Sequence, residues 1–129
     1  MTIERVNHIA INTKDIDESI EYYKRVFGFD EVFRADMGVC ELIYLKVNEQ
    51  TTLELFDLRG ACEEGVASES KMGLRHVAFQ VDDINAWNDR LKENGATFTM
   101  ELTRMENIRS EGLLVCDPNG VIIELCKGY

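Results

Sequence analysis

Apolar and polar residues alternate in short runs along most of the chain, a pattern that predicts strands with two different faces. The runs "VNHIAI" at 6–11 and "LRHVAF" at 74–79 are near copies, and they carry the two histidines of the sequence, His8 and His76. Side chains at i and i+2 share a face of a strand. His8 and Ala10 therefore lie on one face of the first strand, and the intervening isoleucines lie on the other.

A helix is predicted after each histidine strand, because the apolar spacing changes to that of a helix with one apolar face. Asp15 or Asp17 is expected to cap the first helix, which Gly28 ends. Asp83 is expected to cap the second helix, which the Asn-Gly pair at 94–95 ends. The predicted core positions are Ile16, Ile20, Tyr23 and Phe27 in the first helix and Ile84, Trp87 and Leu91 in the second.

Three further strand-like runs follow each helix. They are "DEVFRAD", "CELIYLKV" and "TTLELFDL" after the first helix, and "ATFTMELT", "GLLVCD" and "GVIIELCK" after the second. The turn "DPNG" at 117–120 leads into the last of them. Each half thus reads β-α-β-β-β, and the repetition indicates an internal duplication. We predict an α+β fold in which two tandem βαβββ modules form a curved mixed sheet cup.

The whole chain, 1–129, is predicted to be a single domain, since its length allows one substantial core. Within that domain the first module is expected at 1–57 and the second at 74–129. The stretch between them, 58–73, is rich in Gly, Ser, Ala and Glu, so it is predicted to be an exposed linker.

The formal net charge of −10 argues against a nucleic-acid partner, because phosphates favour basic surfaces. No apolar run approaches the roughly 20 residues that span a bilayer, so no membrane partner is expected. The start "MTIERVNHIA" lacks the features of a signal peptide, and we expect a cytoplasmic protein. The cysteines form no C-x-x-C pair and are expected to be reduced thiols, mostly in the core. They are Cys40, Cys62, Cys116 and Cys126.

One glutamate stands between apolar neighbours in the last strand of each half, Glu54 in "TLELF" and Glu124 in "IIELC". If the flanking aliphatic residues pack against the helices, both carboxylates face the other side of their strands. Either glutamate or either histidine alone is most simply a structural residue. Four of them at repeat-equivalent positions, His8, Glu54, His76 and Glu124, predict a metal site instead.

Two imidazoles and two carboxylates suit one divalent transition metal ion, and Zn²⁺, Ni²⁺, Co²⁺, Mn²⁺ or Fe²⁺ would each be accepted. The set is too poor in oxygen for a Ca²⁺ cage, and it contains no thiolate. Four protein ligands leave two positions free on a six-coordinate ion. A small substrate with two neighbouring oxygens fits those positions.

These features resemble the vicinal oxygen chelate (VOC) superfamily, which contains glyoxalase I. The resemblance covers essentially the whole chain and includes "NHIAINTKDIDESIEYYKRVFGF", "GLRHVAFQVDDI" and "DPNGVIIEL". The quartet is most similar to bacterial glyoxalase I and its lactoylglutathione lyase-like relatives. The resemblance implies a metal-dependent lyase or isomerase acting through an enediolate, for example on the hemithioacetal of methylglyoxal and a thiol. It also implies a homodimer, with Glu124 as the base and Glu54 as a partner able to serve instead or for the opposite stereochemistry.

The sequence departs from bacterial glyoxalase I where that enzyme contacts glutathione. Asn12 replaces an arginine, and Leu58 replaces an asparagine. Other arginines could bind a substrate carboxylate in a bidentate manner; they are Arg34, Arg59, Arg104 and Arg109. The segment "RMENIRSEG" at 104–112 lies where the superfamily often has a substrate-facing loop. The predicted substrate contacts are therefore Arg104, Asn107 and Arg109.

Other activities of the superfamily are kept as alternatives. Epimerases of acyl-CoA thioesters usually have glutamine where this chain has Glu54. Extradiol dioxygenases use two histidines and one glutamate on Fe²⁺ and usually a further catalytic histidine, whereas both histidines here are assigned to the metal. Thiol transferases that inactivate fosfomycin need no ligand at Glu54. Drug-sequestering proteins of the bleomycin-resistance type lack the metal quartet.

Overall fold

The computed structural model describes residues 1–63 and 72–129, which belong to two compact units, Met1–Glu64 and Gly65–Tyr129. Each unit contains one four-stranded mixed sheet, so the fold class is α+β as predicted. Of the predicted linker, residues 64–71 lie outside the described residues. Its described residues, 58–63 and 72–73, form neither helix nor strand.

The first unit runs β-α-β-β-β along the chain. Its elements are β1 (His8–Thr13), α1 (Ile16–Tyr22), a π-helical turn (Tyr23–Phe27), β2 (Glu31–Asp36), β3 (Glu41–Lys46) and β4 (Thr52–Asp57). The strand order is β1-β4-β3-β2, with β1 parallel to β4 and the other pairs antiparallel. The parallel pairing brings the first and last strands of the unit side by side.

The second unit repeats this arrangement. Its elements are β5 (Val77–Gln80), α2 (Ile84–Glu93), β6 (Thr97–Met105), a 3₁₀ turn (Glu106–Ile108), β7 (Ser110–Cys116) and β8 (Ile122–Gly128). The strand order β5-β8-β7-β6 again sets the first strand parallel to the last. The predicted strand at 74–79 begins later than expected, so His76 directly precedes β5. The predicted turn at 117–120 is confirmed by a hydrogen bond from the Gly120 amide to the Asp117 carbonyl.

Of the two candidates for the first helix cap, the structure selects Asp15, and it confirms Asp83 as the cap of the second helix. Asp15 Oδ1 accepts a hydrogen bond from the Glu18 amide at 3.1 Å, and Asp83 Oδ1 accepts one from the Ala86 amide at 3.0 Å. Each carboxylate satisfies an amide that the first turn leaves without a partner. Gly28 ends the first helical segment with φ 76°. Among the described residues, no helix has the length and apolar character needed to cross a membrane.

The buried face of the first helical segment differs from the predicted one. Tyr22 and Val26 are buried beside the predicted Tyr23 and Phe27, whereas Ile16 and Ile20 are only half-buried. The prediction was therefore wrong in part. It assumed 3.6 residues per turn throughout, but the segment changes to a π-helical turn at Tyr23. An i→i+5 turn adds a residue and rotates the following side chains.

The helix-facing side of each sheet forms the core. In the first unit Ile43, Leu45, Leu53 and Leu55 are buried, and α1 contacts β4. In the second unit Leu113, Val115, Ile123 and Leu125 are buried, and α2 contacts β7 and β8. The prediction for the residues on either side of the two glutamates is confirmed. Their burial leaves the opposite face of each sheet for the glutamates.

The cysteines are free thiols, but the expectation that most lie in the core is wrong. Cys62 is exposed, and Cys40, Cys116 and Cys126 are half-buried. The reason is strand alternation: Cys116 and Cys126 follow the buried residues Val115 and Leu125 by one position and so face away from the helix.

Candidate metal centre

His8 and Glu54 meet on the face of the first sheet that lies away from α1. In the parallel β1–β4 pair Ala10 lies opposite Glu54, and His8 shares the face of Ala10. His8 Nε2 lies 3.7 Å from Glu54 Oε1. On its other side, His8 Nδ1 lies 2.8 Å from Asn7 Oδ1. An imidazole that donates from Nδ1 carries a lone pair on Nε2, which is the arrangement a metal ligand needs.

Glu54 is a buried carboxylate, and its side chain is only 9% exposed. Tyr44 of β3 lies directly opposite it in the antiparallel β3–β4 pair, and the Tyr44 hydroxyl donates a hydrogen bond to Glu54 Oε2. This hydrogen bond, together with burial and the nearby negative charge, raises the pKa of the Tyr44 phenol. Tyr44 therefore stays protonated and remains a donor. The two oxygens of Glu54 face different partners, Oε2 the phenol and Oε1 the imidazole.

His76 and Glu124 form the corresponding pair of the second unit. Ala78 of β5 lies opposite Glu124 of β8, and His76 precedes Ala78 by two residues. His76 Nε2 lies 2.8 Å from Glu124 Oε2. Its other ring nitrogen, Nδ1, is buried and has no hydrogen-bond partner among the described residues. The second imidazole therefore also presents Nε2 to a carboxylate.

The surroundings of the two glutamates differ. The residue opposite Glu124 is Leu114, which offers no donor where the first unit has Tyr44. Gly112 lies two residues earlier on β7, where the equivalent position of β3 is Leu42. A Cβ at Gly112 would lie 3.3 Å from Glu124 Oε1. Glycine therefore provides the space that this carboxylate occupies.

The donor set fits a divalent metal ion. Two ligands that bind one ion at about 2.1 Å lie about 3 Å apart, and the two Nε2–oxygen distances of 2.8 and 3.7 Å bracket that value. Neutral imidazole and carboxylate are both common ligands of such ions. Within each unit, the described residues bring no third His, Cys, Asp or Glu into a group that could hold an ion with the pair. Each unit, taken by itself, therefore holds two candidate ligands.

The predicted substrate contacts lie at the connection between β6 and β7. Arg104 Nε lies 3.0 Å from Glu106 Oε1, and the Arg104 guanidinium lies 3.7 Å from the centre of the Tyr129 ring. Arg109 lies 5.9 Å from the centre of the same ring, and Asn107 is exposed in the 3₁₀ turn. The Tyr129 ring thus lies close to both guanidinium groups, and Arg104 is already paired with the Glu106 carboxylate.

The other two candidate arginines are also paired with carboxylates. Arg34 forms salt bridges with Glu31 and with Glu41, the latter at 3.0 Å. Arg59 Nη2 lies 3.0 Å from Asp36 Oδ1. A substrate carboxylate would have to displace these partners in order to bind either guanidinium.

Comparison with known proteins identifies the fold family. The model of the Glyoxalase/Bleomycin resistance protein/Dioxygenase superfamily matches residues 5–125. The chain belongs to this superfamily. Its resemblance to glyoxalase-type proteins, stated from the sequence, is confirmed.

Two relatives within the superfamily have different names. The chain is 29% identical over 130 residues to "Probable lactoylglutathione lyase" of Vibrio cholerae, covering 98% of this chain and 93% of that protein. It is 30% identical over 133 residues to "Methylmalonyl-CoA epimerase, mitochondrial" of Dictyostelium discoideum, covering 95% and 78%. A solved glyoxylase/bleomycin resistance protein/dioxygenase domain from Frankia sp. has a TM-score of 0.84 at 20% identity, covering 99% of this chain and 100% of that one. The last likeness shows the fold.

The two positions expected to depart from bacterial glyoxalase I, Asn12 and Leu58, lie on or directly after the strands that carry the first pair. Asn12 is exposed on β1, on the same face of the strand as His8. Leu58 is half-buried directly after β4. Asn12 carries no charge to pair with a substrate carboxylate, and Leu58 offers no hydrogen-bonding group.

Sequence reasoning missed three residues that shape this superfamily member's candidate centre: Asn7, Tyr44 and Gly112. Asn7 had a usable signal, because it is a hydrogen-bonding residue next to His8. Tyr44 and Gly112 had none, because their importance depends on strand register. Tyr44 matters because it pairs with Glu54, and Gly112 because Glu124 lies over it.

Proposed function

We propose that this chain is a metal-dependent enzyme of the glyoxalase I type, a lyase or isomerase acting on a small substrate with vicinal oxygens. The hemithioacetal of methylglyoxal and a thiol is the model substrate. The observation that carries the proposal is the repetition of the His–Glu pair. His8 with Glu54 and His76 with Glu124 occupy equivalent positions, and each histidine directs Nε2 toward a carboxylate. Duplicated pairs of this kind suit one shared ion.

In this proposal His8, Glu54, His76 and Glu124 hold one divalent transition metal ion. The ion, when bound, supplies Lewis acidity that stabilises negative charge on the substrate oxygens. Glu124 acts as general base: it takes a proton from one carbon and returns it to the neighbouring carbon. Substrate and product are isomers, so the reaction consumes no oxidant or reductant.

The surroundings of the carboxylates support Glu124 as the base. Its Oε2 faces His76, while Oε1 lies over Gly112 and has no hydrogen-bond donor opposite it on β7. Glu54 is more buried, and Tyr44 holds one of its oxygens. A base must change its protonation during the reaction, and the more exposed carboxylate, which has no phenol donor, suits that role.

An epimerase of acyl-CoA thioesters is the second candidate, and the Dictyostelium relative favours it. Three observations weigh against it. Epimerases of this kind usually have glutamine where this chain has Glu54. The candidate arginines are already paired with carboxylates and are not available for CoA phosphates; they are Arg34, Arg59 and Arg104. The net charge of −10 also gives no general attraction for a polyanion.

Metal analysis is the first experiment. The wild-type protein, purified without added metal, is compared with His8→Ala, His76→Ala, Glu54→Ala and Glu124→Ala for bound metal per chain. Each change should lower the metal content, because each removes one of four ligands. Arg25→Ala, at the end of the first helical segment, is the matched control and should retain the metal. Unchanged metal content in His8→Ala would mean that the quartet is wrong.

The second experiment tests the reaction. Metal-replete protein is given methylglyoxal with glutathione or with other low-molecular-weight thiols, and thioester formation is followed by ultraviolet absorbance. A parallel reaction in D₂O with a branched acyl-CoA reports epimerase activity as deuterium incorporation at the carbon next to the thioester. We expect thioester formation from at least one thiol. Failure with every thiol excludes the glyoxalase proposal, and deuterium incorporation alone would identify an epimerase.

The proposal includes a homodimer, because members of this superfamily often complete their sites with residues of a second chain. Sedimentation equilibrium should give twice the 14.8 kDa mass of the chain. A monomer that still binds the metal would show that the dimer is not required for binding.

A further inference from the structure

We propose that Tyr44 is a positioning residue. Its hydrogen bond holds Glu54 in place as a metal ligand, so that Glu124 carries out the proton transfer. This inference rests on the proposed function and deepens it. It concerns how the chain distinguishes two glutamates that the internal duplication placed at equivalent positions.

The hydrogen bond from Tyr44 gives the two oxygens of the Glu54 carboxylate different partners. Oε2 accepts from the phenol, and Oε1 faces His8 Nε2 at 3.7 Å. With Oε2 engaged, Glu54 presents only one oxygen to an ion beside the imidazole. A phenol–carboxylate hydrogen bond is charge-assisted, and such bonds are about twice as strong as bonds between neutral groups. Glu54 therefore has a defined orientation before any ion binds.

Strand pairing makes this contact difficult to avoid. Tyr44 and Glu54 are directly opposite residues of the antiparallel β3–β4 pair, and such side chains start about 5 Å apart at Cβ. Both neighbours of Glu54, Leu53 and Leu55, are fully buried, so the strand cannot rotate to release the carboxylate without exposing them. The exposed Phe33 of β2 packs its ring 5.8 Å from that of Tyr44, which limits the movement of the phenol.

The second unit has no phenol opposite its glutamate. Leu114 lies opposite Glu124 at the position equivalent to Tyr44, and Oε1 occupies the space that Gly112 leaves. The Glu124 side chain is also more exposed than that of Glu54, 16% against 9%. One of the two equivalent glutamates therefore has a phenol donor opposite it, and the other has none. In this inference Glu54 only binds the metal ion, whereas Glu124 both binds the ion and transfers the proton.

The test compares Tyr44→Phe with wild type by the dissociation constant of the metal, measured by competition with a chromophoric chelator. Loss of a partner that orients a metal ligand costs about ten- to a hundredfold in affinity, and we expect a loss in that range. The cobalt(II)-loaded proteins should also differ in their visible absorption, because without the phenol both oxygens of Glu54 are available to the ion. Neither measurement depends on turnover.

Tyr129→Phe is the matched control. Tyr129 also donates a phenol hydrogen bond to a glutamate, Glu106 Oε2 at 2.8 Å, but outside the candidate centre. Its removal should leave metal affinity and the cobalt spectrum unchanged. Equal affinity and an identical spectrum for Tyr44→Phe and wild type would overturn the inference.

The reciprocal variant, Leu114→Tyr, places a phenol opposite Glu124. If freedom of Glu124 is required, kcat should fall by up to about a hundredfold while metal is still bound. Unchanged kcat would overturn the inference even if Tyr44→Phe failed to fold. A wild-type protein that binds no metal would overturn the proposed function as well. A wild type that binds metal with an affinity insensitive to Tyr44→Phe would overturn the inference alone.

Discussion

His76 Nε2 lies 2.8 Å from Glu124 Oε2, on the face of the second sheet that α2 leaves uncovered. The first unit repeats the pair with a longer separation, 3.7 Å between His8 Nε2 and Glu54 Oε1. In both units the histidine precedes or begins the first strand, and the glutamate lies on the last. Parallel pairing of those two strands brings the side chains together, which is how one βαβββ module produces two candidate ligands.

Gly112→Ala should impair the reaction more than it impairs folding. The new Cβ would lie 3.3 Å from Glu124 Oε1 and 3.0 Å from Met105 Cε. The flexible end of Met105 can move, but the carboxylate must shift by a few tenths of an ångström. A small misplacement of a reacting group lowers its rate, and we expect kcat to fall about tenfold.

Gly128→Ala is the control for this variant. A Cβ at Gly128 would meet only the Arg109 carbonyl oxygen, at an ordinary 3.8 Å. Its kcat and urea midpoint should match those of wild type. If Gly112→Ala loses stability but retains kcat, Gly112 serves β7 packing and not the carboxylate.

Arg109→Ala should raise the KM for a substrate that carries a carboxylate. Arg109 stacks near Tyr129, whereas the neighbouring Arg104 is already paired with Glu106. A hydrogen bond to a charged group contributes about 1.5–3 kcal/mol, which corresponds to a rise of roughly ten- to a hundredfold in KM. Steady-state kinetics with a carboxylate-bearing thiol adduct and with an uncharged one would check this. An equal KM for both adducts in wild type and variant would contradict the predicted contact.

Asp83→Ala should destabilise the protein by about 1 kcal/mol. Asp83 Oδ1 is the acceptor for the Ala86 amide at the start of α2, and alanine leaves that amide without its cap. Urea unfolding should show a lower midpoint with an unchanged slope. Asp89→Ala, at an exposed position within α2, removes the same charge without a cap and should change stability by less than about 0.5 kcal/mol.

The thiols should react with iodoacetamide at different rates. Cys62 is exposed and should be modified first. Burial, together with the Glu124 charge, raises the pKa of the Cys126 thiol, and burial with the Asp117 charge does the same for Cys116. The reactive thiolates of Cys116 and Cys126 form only at higher pH, so their modification rates should still rise with pH above the pKa of an unperturbed thiol. Peptide mass spectrometry at several pH values would measure this; modification of Cys126 ahead of Cys62 near neutral pH would contradict it.

Local patterns allowed much of the fold to be predicted. Alternation located the strands, and the candidate caps, Asp15 or Asp17 and then Asp83, marked the helix starts, because caps and strand faces depend on residues close in sequence. The same alternation correctly placed Glu54 and Glu124 on the face away from the helices. The π-helical turn at Tyr23 was not predictable from spacing, since it breaks the period that the spacing argument assumes.

The candidate centre was less predictable than the strands that hold it. The sequence nominated His8, Glu54, His76 and Glu124 because a duplication repeats them, and that quartet stays a prediction. The partners of the candidate arginines depend on contacts between residues distant in sequence, such as Arg59 with Asp36. Spacing cannot reveal that these charges are already paired.

The sequence by itself therefore determined the repeated β-α-β-β-β order, the helix caps and which strand positions share a face, because each follows from the geometry of neighbouring residues. Only the tertiary structure decided that Tyr44 stands opposite Glu54 and Leu114 opposite Glu124. Register between strands is set by the packing of the whole sheet. Two glutamates that look equivalent in the sequence thus acquire different surroundings in the folded protein.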